Sequence, residues 1–206
     1  YFANQLGGHI LLENPMIEEV YAEWRDKDQL ISALQKNEEL KSALLEQTPW
    51  VMDALSEEEQ MQRMSNLFDI AKLKSESTAD LQTLLDRQSG GGIPWFPGGR
   101  PNWFITQYIV QGFGQLDKLN VIDKSDPKIN TLIQEAFKFI DQELIEYESK
   151  RKNKDYIAPI LIHYFYTRSF FPEIEKSDLI NQIEKRFQEI VQEKWLDYSI
   201  LNQGQL

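Results

Sequence analysis

Carboxylates are the most abundant groups in this chain that could do chemistry, with 33 Asp and Glu among 206 residues. Two acids facing one another across a cleft can hydrolyse a glycosidic bond, one as general acid and the other as nucleophile or base. Asp117, Asp123 and Asp155 lie near the ends of helical segments, where such acids would sit in an α/α toroid. Asp126 and Asp155 are also explained as helix caps, and the remaining acids mostly line charged faces. No Asp-x-Asp-Asp occurs, which speaks against a terpene-cyclase-like site. His9 and His163 are the only histidines, without His-x-x-x-His spacing. His163 sits in the most apolar run, so a hydrogen-bonded core histidine is expected rather than a metal ligand. With no Cys there is no thiol nucleophile, disulfide or thiolate metal site within these residues. The reading is therefore of a chain that is not an enzyme, with no catalytic, cofactor-binding or metal residues to assign.

Gly90-Gly91-Gly92 could cradle a phosphate, but a helix rather than a strand precedes it and no Lys-Ser/Thr follows. The glycines belong to a longer stretch, Gly90 to Gly99, that holds five glycines, two prolines and Ile93, Trp95 and Phe96. Glycine loses too much entropy in a helix and proline lacks the donor, so this is a loop. Its apolar side chains predict an ordered loop pinned by aromatic burial. A partner-contact surface through Trp95, Phe96 and Pro97 is the functional reading of the same residues.

The elements around it read as helices. Residues 1–89 form an N-terminal helical part, residues 90–101 the loop, and residues 102–206 a series of alternating helices. In the first part, Tyr1–Leu12 and Met16–Arg25 carry apolar residues at helical spacing, and 28–34 and 37–46 are shorter pieces. Gly7-Gly8 lowers the helix signal or marks close helix approach. Thr48-Pro49-Trp50 breaks the pattern, and Ser56-Glu57-Glu58-Glu59 forms a capping box before a long helix that reaches Leu85. The patch Ser75-Glu76-Ser77-Thr78 is the weak point of that helix. After the loop, Asn102–Leu119 has few charges, and Gly112 and Gly114 leave room for a neighbouring backbone. Asp126-Pro127 starts a helix with one apolar stripe from Ile129 to Ile145. Tyr156–Phe171 is apolar almost all round, and Ser177–Tyr198 is amphipathic again. The expected order is buried, surface, buried, surface, with a further apolar segment near Ile200. Period-two alternation is absent over any useful length, so the fold class is all-α. Inner apolar and outer amphipathic hairpins suggest a partial α/α toroid or a curved solenoid.

A net charge of −11 argues against a nucleic-acid or anionic-membrane partner. The basic cluster within Glu148–Lys154 reads as a helix C-terminus favoured by the macrodipole. No run approaches the roughly 20 apolar residues of a transmembrane helix. The chain opens on Tyr1 and stops at Leu206 without a natural-looking terminus, which reads as a fragment.

The run Gly91-Gly92-Ile93-Pro94-Trp95-Phe96-Pro97-Gly98-Gly99, followed by Ile105-Thr106-Gln107-Tyr108-Ile109-Val110-Gln111-Gly112-Phe113-Gly114-Gln115-Leu116, resembles the bacterial alpha-2-macroglobulin family. In that family a glycine-aromatic loop leads into a helix of similar wording inside the thioester domain, an α/α toroid. Tyr1–Asn4, Glu46–Ala54, His163–Phe171 and Asn202–Leu206 look similar too, so the likeness spreads over most of the chain. The resemblance implies a fragment of a broad-range endopeptidase inhibitor. In such a trap a protease cuts a bait region, the molecule closes, and in many members a Cys-Gln thioester acylates the captive. It implies proteases as targets, other domains of the same protein as partners, and the periplasm or cell envelope, with room for a lipid anchor in the full-length protein. The family's Cys-x-Glu-Gln motif is absent from these residues and would fall upstream of Tyr1. A helical scaffold binding a protein partner, and an α/α-toroid enzyme such as a glycosidase, are the alternatives.

Overall fold

The computed structural model describes residues 1–17, 19, 70–152 and 156–206. The expected helical pieces at 28–34 and 37–46, the break at Thr48-Pro49-Trp50, the capping box at Ser56–Glu59 and Asp155 lie outside the described residues. The same holds for most of Met16–Arg25. The elements are α1 (Phe2–Glu13), α2 (Ile70–Arg87), α3 (Trp103–Lys118), α4 (Pro127–Lys150), α5 (Pro159–Ser169), α6 (Asp178–Lys194), a 3-10 turn (Trp195–Asp197) and α7 (Ile200–Gln203). Among the described residues the only β-pairing is two isolated bridges, Ser89 with Gly92 and Pro94 with Pro101. The protein is all-α.

The chain divides into two compact units, Tyr1 with Ala3–Asp80, and Phe2 with Leu81–Leu206. In the first, Asn4 Nδ2 donates to Asp80 at 2.9 Å and Gln5 Nε2 donates to Ser77 Oγ at 2.7 Å. A Cβ at Gly7 would stand 3.5 Å from the side chain of Leu73, ordinary contact, whereas Gly8 faces open space. The helix does not weaken at Ser75–Thr78: α2 runs through it, and Ser77 is buried where Gln5 satisfies its hydroxyl.

In the second unit α4 supplies the central stripe. Ile129, Leu132, Ile133, Ala136, Phe137, Ile140 and Leu144 are buried along one face, each large apolar side chain contributing roughly 1.5–3 kcal/mol. Asp126 caps α4 by accepting from the amides of Lys128 and Ile129 (2.8 and 3.3 Å), with Pro127 in the first turn. Asn102 caps α3 and Ser177 caps α6 in the same way. α5 starts at Pro159 rather than at Tyr156, because the residue before a proline is kept out of helical geometry. It is buried on most sides, as its composition predicts: Leu161, Ile162, His163, Tyr164, Phe165, Thr167 and Arg168 are all covered. α6 buries Ile180 and Ile183 and leaves the rest of its length half-buried or exposed.

α3 departs from the expected order. Its buried side is Thr106, Gln107, Val110, Phe113, Gly114 and Leu116, while Phe104 and Tyr108 stand 46% and 62% exposed. The scarcity of charge on α3 therefore marks an uncharged outer face as well as a buried one. Gly114 also differs from expectation: its close neighbours are not backbone but the Phe170 side chain, whose Cβ would lie 2.5 Å from an added Cβ, and Phe171 at 3.1 Å. Gly112 meets nothing closer than 3.6 Å.

These two glycines give a paired prediction. Gly114→Ala should cost about 1–3 kcal/mol by overpacking, because Phe170 Cβ cannot swing away from its own backbone. Gly112→Ala should be neutral or stabilising by up to about 1 kcal/mol through helix propensity. Urea denaturation followed by circular dichroism separates the two.

Candidate functional site

The loop between α2 and α3 is built as two short turns stacked end to end. Ser89 and Gly92 exchange both backbone hydrogen bonds, N–H to O at 2.9 and 3.1 Å. The two residues between them, Gly90 and Gly91, have φ of +55° and +83°. Positive φ at both central positions is the signature of a type I′ turn, which side-chain-bearing residues rarely adopt. Farther on, Pro94 pairs with Pro101, and the Gly99 amide donates to Phe96 O at 3.0 Å. Pro97 and Gly98, with Gly98 at φ +76°, hold the order and sign of a type II turn.

Contacts with the helices fix this loop in place. A Cβ on Gly91 would lie 2.2 Å from the Glu135 carbonyl oxygen of α4, and one on Gly92 would lie 2.6 Å from Pro101 and 2.8 Å from the Phe139 ring. Gln88 Nε2 donates to Gly91 O at 2.8 Å and to Leu132 O at 2.9 Å. Ile93, 2% exposed, donates its amide to Thr106 Oγ1 at 2.9 Å and accepts from the Asn102 amide at 3.0 Å. Thr106 passes its own proton to Asn102 O at 2.8 Å. Apart from the buried Pro94, every anchor is thus a glycine, Ile93 or a polar group.

Aromatic burial does not pin the loop. Trp95 and Phe96 are 67% and 62% exposed, and Pro97 is exposed beside them. The glycines make so close an approach to α4 that the anchoring is complete before the chain reaches Trp95. The aromatic pair is left at an exposed tip beyond these anchors. The sequence points to Trp95, Phe96 and Pro97 as a contact surface, and the structure places all three at that tip.

Each of the described candidate acids is engaged with a partner of its own. Asp117 pairs with Lys124 at 3.1 Å, and Lys124 also reaches Glu173 at 3.0 Å. Asp123 accepts from the Ser125 hydroxyl (2.6 Å) and amide (2.8 Å), and these bonds hold its carboxyl below the ordinary value. Asp126 is the α4 cap. Among the described residues no group of three or more His, Asp or Glu could hold a metal, and no helix is long and apolar enough to cross a membrane.

His163 is buried, and its Nε2 lies 2.7 Å from Gln111 Oε1, so that nitrogen carries the proton and Nδ1 is left without a partner. The Phe104 ring covers it at 5.3 Å. Burial holds the imidazole below its ordinary pKa of 6.5.

Sequence reasoning missed two buried ionic clusters. Asp141 accepts from Tyr164 Oη at 2.6 Å and lies 3.5 Å from Arg168 Nη1. Arg168 also donates to the carbonyls of Ile174 (3.3 Å) and Glu175 (2.7 Å), and its guanidinium sits 4.5 Å from the centre of the Phe137 ring. Burial raises Asp141 and outweighs the opposing Tyr164 hydrogen bond and Arg168 charge. Burial, with the Asp141 charge next, raises Tyr164, which keeps its proton as a donor. These groups tie α5 and the chain leading to α6 onto α4. Arg168 in an otherwise apolar run was the available signal, since a buried guanidinium must have a partner. Glu148 is the centre of the second cluster, paired with Arg151 at 2.6 Å and with Arg186. The basic run does close the C-terminus of α4, at Lys150, but Glu148 within it is only 4% exposed. The narrow cleft beside it, lined by Ile157, Leu161, Phe165 and Phe187, has about 10 Å³ of space, room for one water.

Two predictions follow from this geometry. Gly91→Ala should cost about 2–4 kcal/mol through positive-φ strain and the collision with Glu135 O, whereas Trp95→Ala and Phe96→Ala should stay within about 0.5 kcal/mol, all read by chemical denaturation. For His163 the folded pKa lies below the unfolded one, so the unfolded chain binds more protons as pH falls below about 6.5. Stability is full above that pH and declines below it, by no more than about 1.4 kcal/mol per pH unit from this one group. His163→Gln should flatten the slope of stability against pH between pH ~6.5 and ~5.

Comparison of the chain with protein-family models, with curated proteins and with solved structures gave no match in any of the three.

Proposed function

We propose that this chain is a structural, protein-contacting part of the thioester-type helical domain of a bacterial macroglobulin-like protease trap. The observation that carries the reading is the loop. Its wording resembles that family's glycine-aromatic loop, and it is built to hold Trp95 and Phe96 rigidly at a solvent-exposed tip. Rigid exposed aromatics are what a contact surface needs, because they bury large area with little loss of freedom. The all-α succession of helices supports a partial α/α toroid as the arrangement. In this reading the chain acts as scaffold and contact surface and is not an enzyme, in keeping with the engagement of Asp117 in an ion pair and of Asp123 in a turn. Endopeptidases are the targets in this reading, and the periplasm or cell envelope is the location.

A scaffold that binds a protein partner without any trapping reaction is the second reading. Phe104 and Tyr108, exposed on α3 with their rings 6.2 Å apart, favour it.

The test uses the protein that carries this chain. It is incubated with trypsin-like and elastase-like proteases, with and without methylamine, and the products are weighed by denaturing mass spectrometry. A localised cut, with the protease retained and shielded from large substrates, is the expected result. A methylamine-sensitive covalent adduct would add a working thioester to it. Absence of both a localised cut and protection of large substrates would overturn the trap reading and leave the scaffold.

A further inference from the structure

The loop tip carries more than aromatic surface. Pro94 and Pro101 form an antiparallel bridge, and the turn at Phe96–Gly99 closes beyond it. Trp95 and Arg100 are therefore the next opposed pair, with backbones about 5 Å apart. Alternation across the bridge puts them on the face opposite Pro94 and Pro101. The burial pattern agrees: Pro94 is buried and Pro101 half-buried, while Trp95 and Arg100 are exposed.

The charge distribution gives this pair a sign. In a chain of net charge −11, the stretch from Gln88 to Leu116 contains no Asp or Glu, and its only charge is Arg100. Two residues on, Asn102 caps α3, whose first turn holds no acidic residue to offset the positive end of its dipole. No ion pair or ring-stacking contact involves Arg100 among the described residues, so its guanidinium is open to an incoming group. An indole and a guanidinium carried on one face of the tip fit an apolar side chain next to a carboxylate.

We propose that the tip formed by Trp95, Phe96 and Arg100 docks an extended acidic segment of a partner protein, with an apolar residue against the two rings and an adjacent carboxylate on Arg100. This rests on the reading of the tip as a contact surface. Charge complementarity selects the occupant. A basic segment would meet Arg100 and the positive end of the α3 dipole, and a second copy of this chain docked tip to tip would bring another Arg100 to the same place.

The experiment screens the folded chain against an array of short random peptides and sequences the binders. The expected result is enrichment of peptides with Asp or Glu beside Leu, Phe or Trp. Their affinity should fall about tenfold in Arg100→Gln, as loss of a charge-assisted hydrogen bond predicts, and again in Trp95→Ala. It should also weaken as salt rises from ~50 to ~500 mM. Both residues are exposed, so unchanged unfolding curves confirm that the variants are folded. Binders lost in Trp95→Ala but indifferent to Arg100→Gln and without acidic bias would overturn the acidic partner and keep the contact surface. No binder, or binders indifferent to both variants, would overturn both. Tryptophan-95-dependent binding to phosphatidylcholine vesicles in place of peptides would overturn the proposal in favour of a lipid surface.

Discussion

The seat of Gly91 on α4 is the constraint on which the loop depends. With φ at +83° and the Glu135 carbonyl where a side chain would begin, this position admits glycine and little else. Because the backbone comes that close, Gln88 can bridge Gly91 and Leu132, and Ile93 can drop into the core and bond Thr106. The same stretch then has no need of its largest side chains for anchoring. Trp95 and Phe96 are free to face solvent.

α4 makes this possible because it is itself held from several sides. Its apolar stripe is buried end to end, Asp126 and Pro127 fix its start, and two ionic clusters fasten its second half to α5 and α6. In both clusters the charged groups are engaged with one another. In one, Asp141 is hydrogen-bonded by a tyrosine that keeps its proton and neighboured by an arginine spent on two backbone carbonyls. In the other, Glu148 lies between two arginines with space for a single water beside it. Removing one partner of either would strand a buried charge, which is why such groups are retained even though an ion pair in itself stabilises little.

Much of the helical layout was legible from caps and periodicity. Asp126-Pro127, Asn102 and Ser177 start helices where their side chains can accept from free amides, and the Ile129–Leu144 stripe is the buried face of α4. Three features were not legible, each for a physical reason. Phe104 and Tyr108 look like core residues because hydropathy does not record which side of a helix has a neighbour. Trp95 and Phe96 look like anchors because aromatic residues usually are, and only the geometry of Gly91 and Gly92 shows the anchoring already done. The pairing of Asp141 with Arg168, and of Glu148 with Arg186, joins residues far apart in the chain, beyond the reach of any local pattern. The contact residues Trp95 to Pro97 were visible as a stretch; the opposition of Trp95 and Arg100 needed the Pro94–Pro101 bridge.

Amide hydrogen exchange on the folded chain, read with acrylamide quenching of tryptophan variants that leave Trp95 alone, tests most directly whether the loop is a fixed mount with an exposed aromatic tip. The amides of Gly92, Ile93 and Asn102 should be protected to the level of mid-α4 amides, while Trp95 should be quenched almost as a free indole. Rapid exchange at those three amides, or a shielded Trp95, would contradict that arrangement.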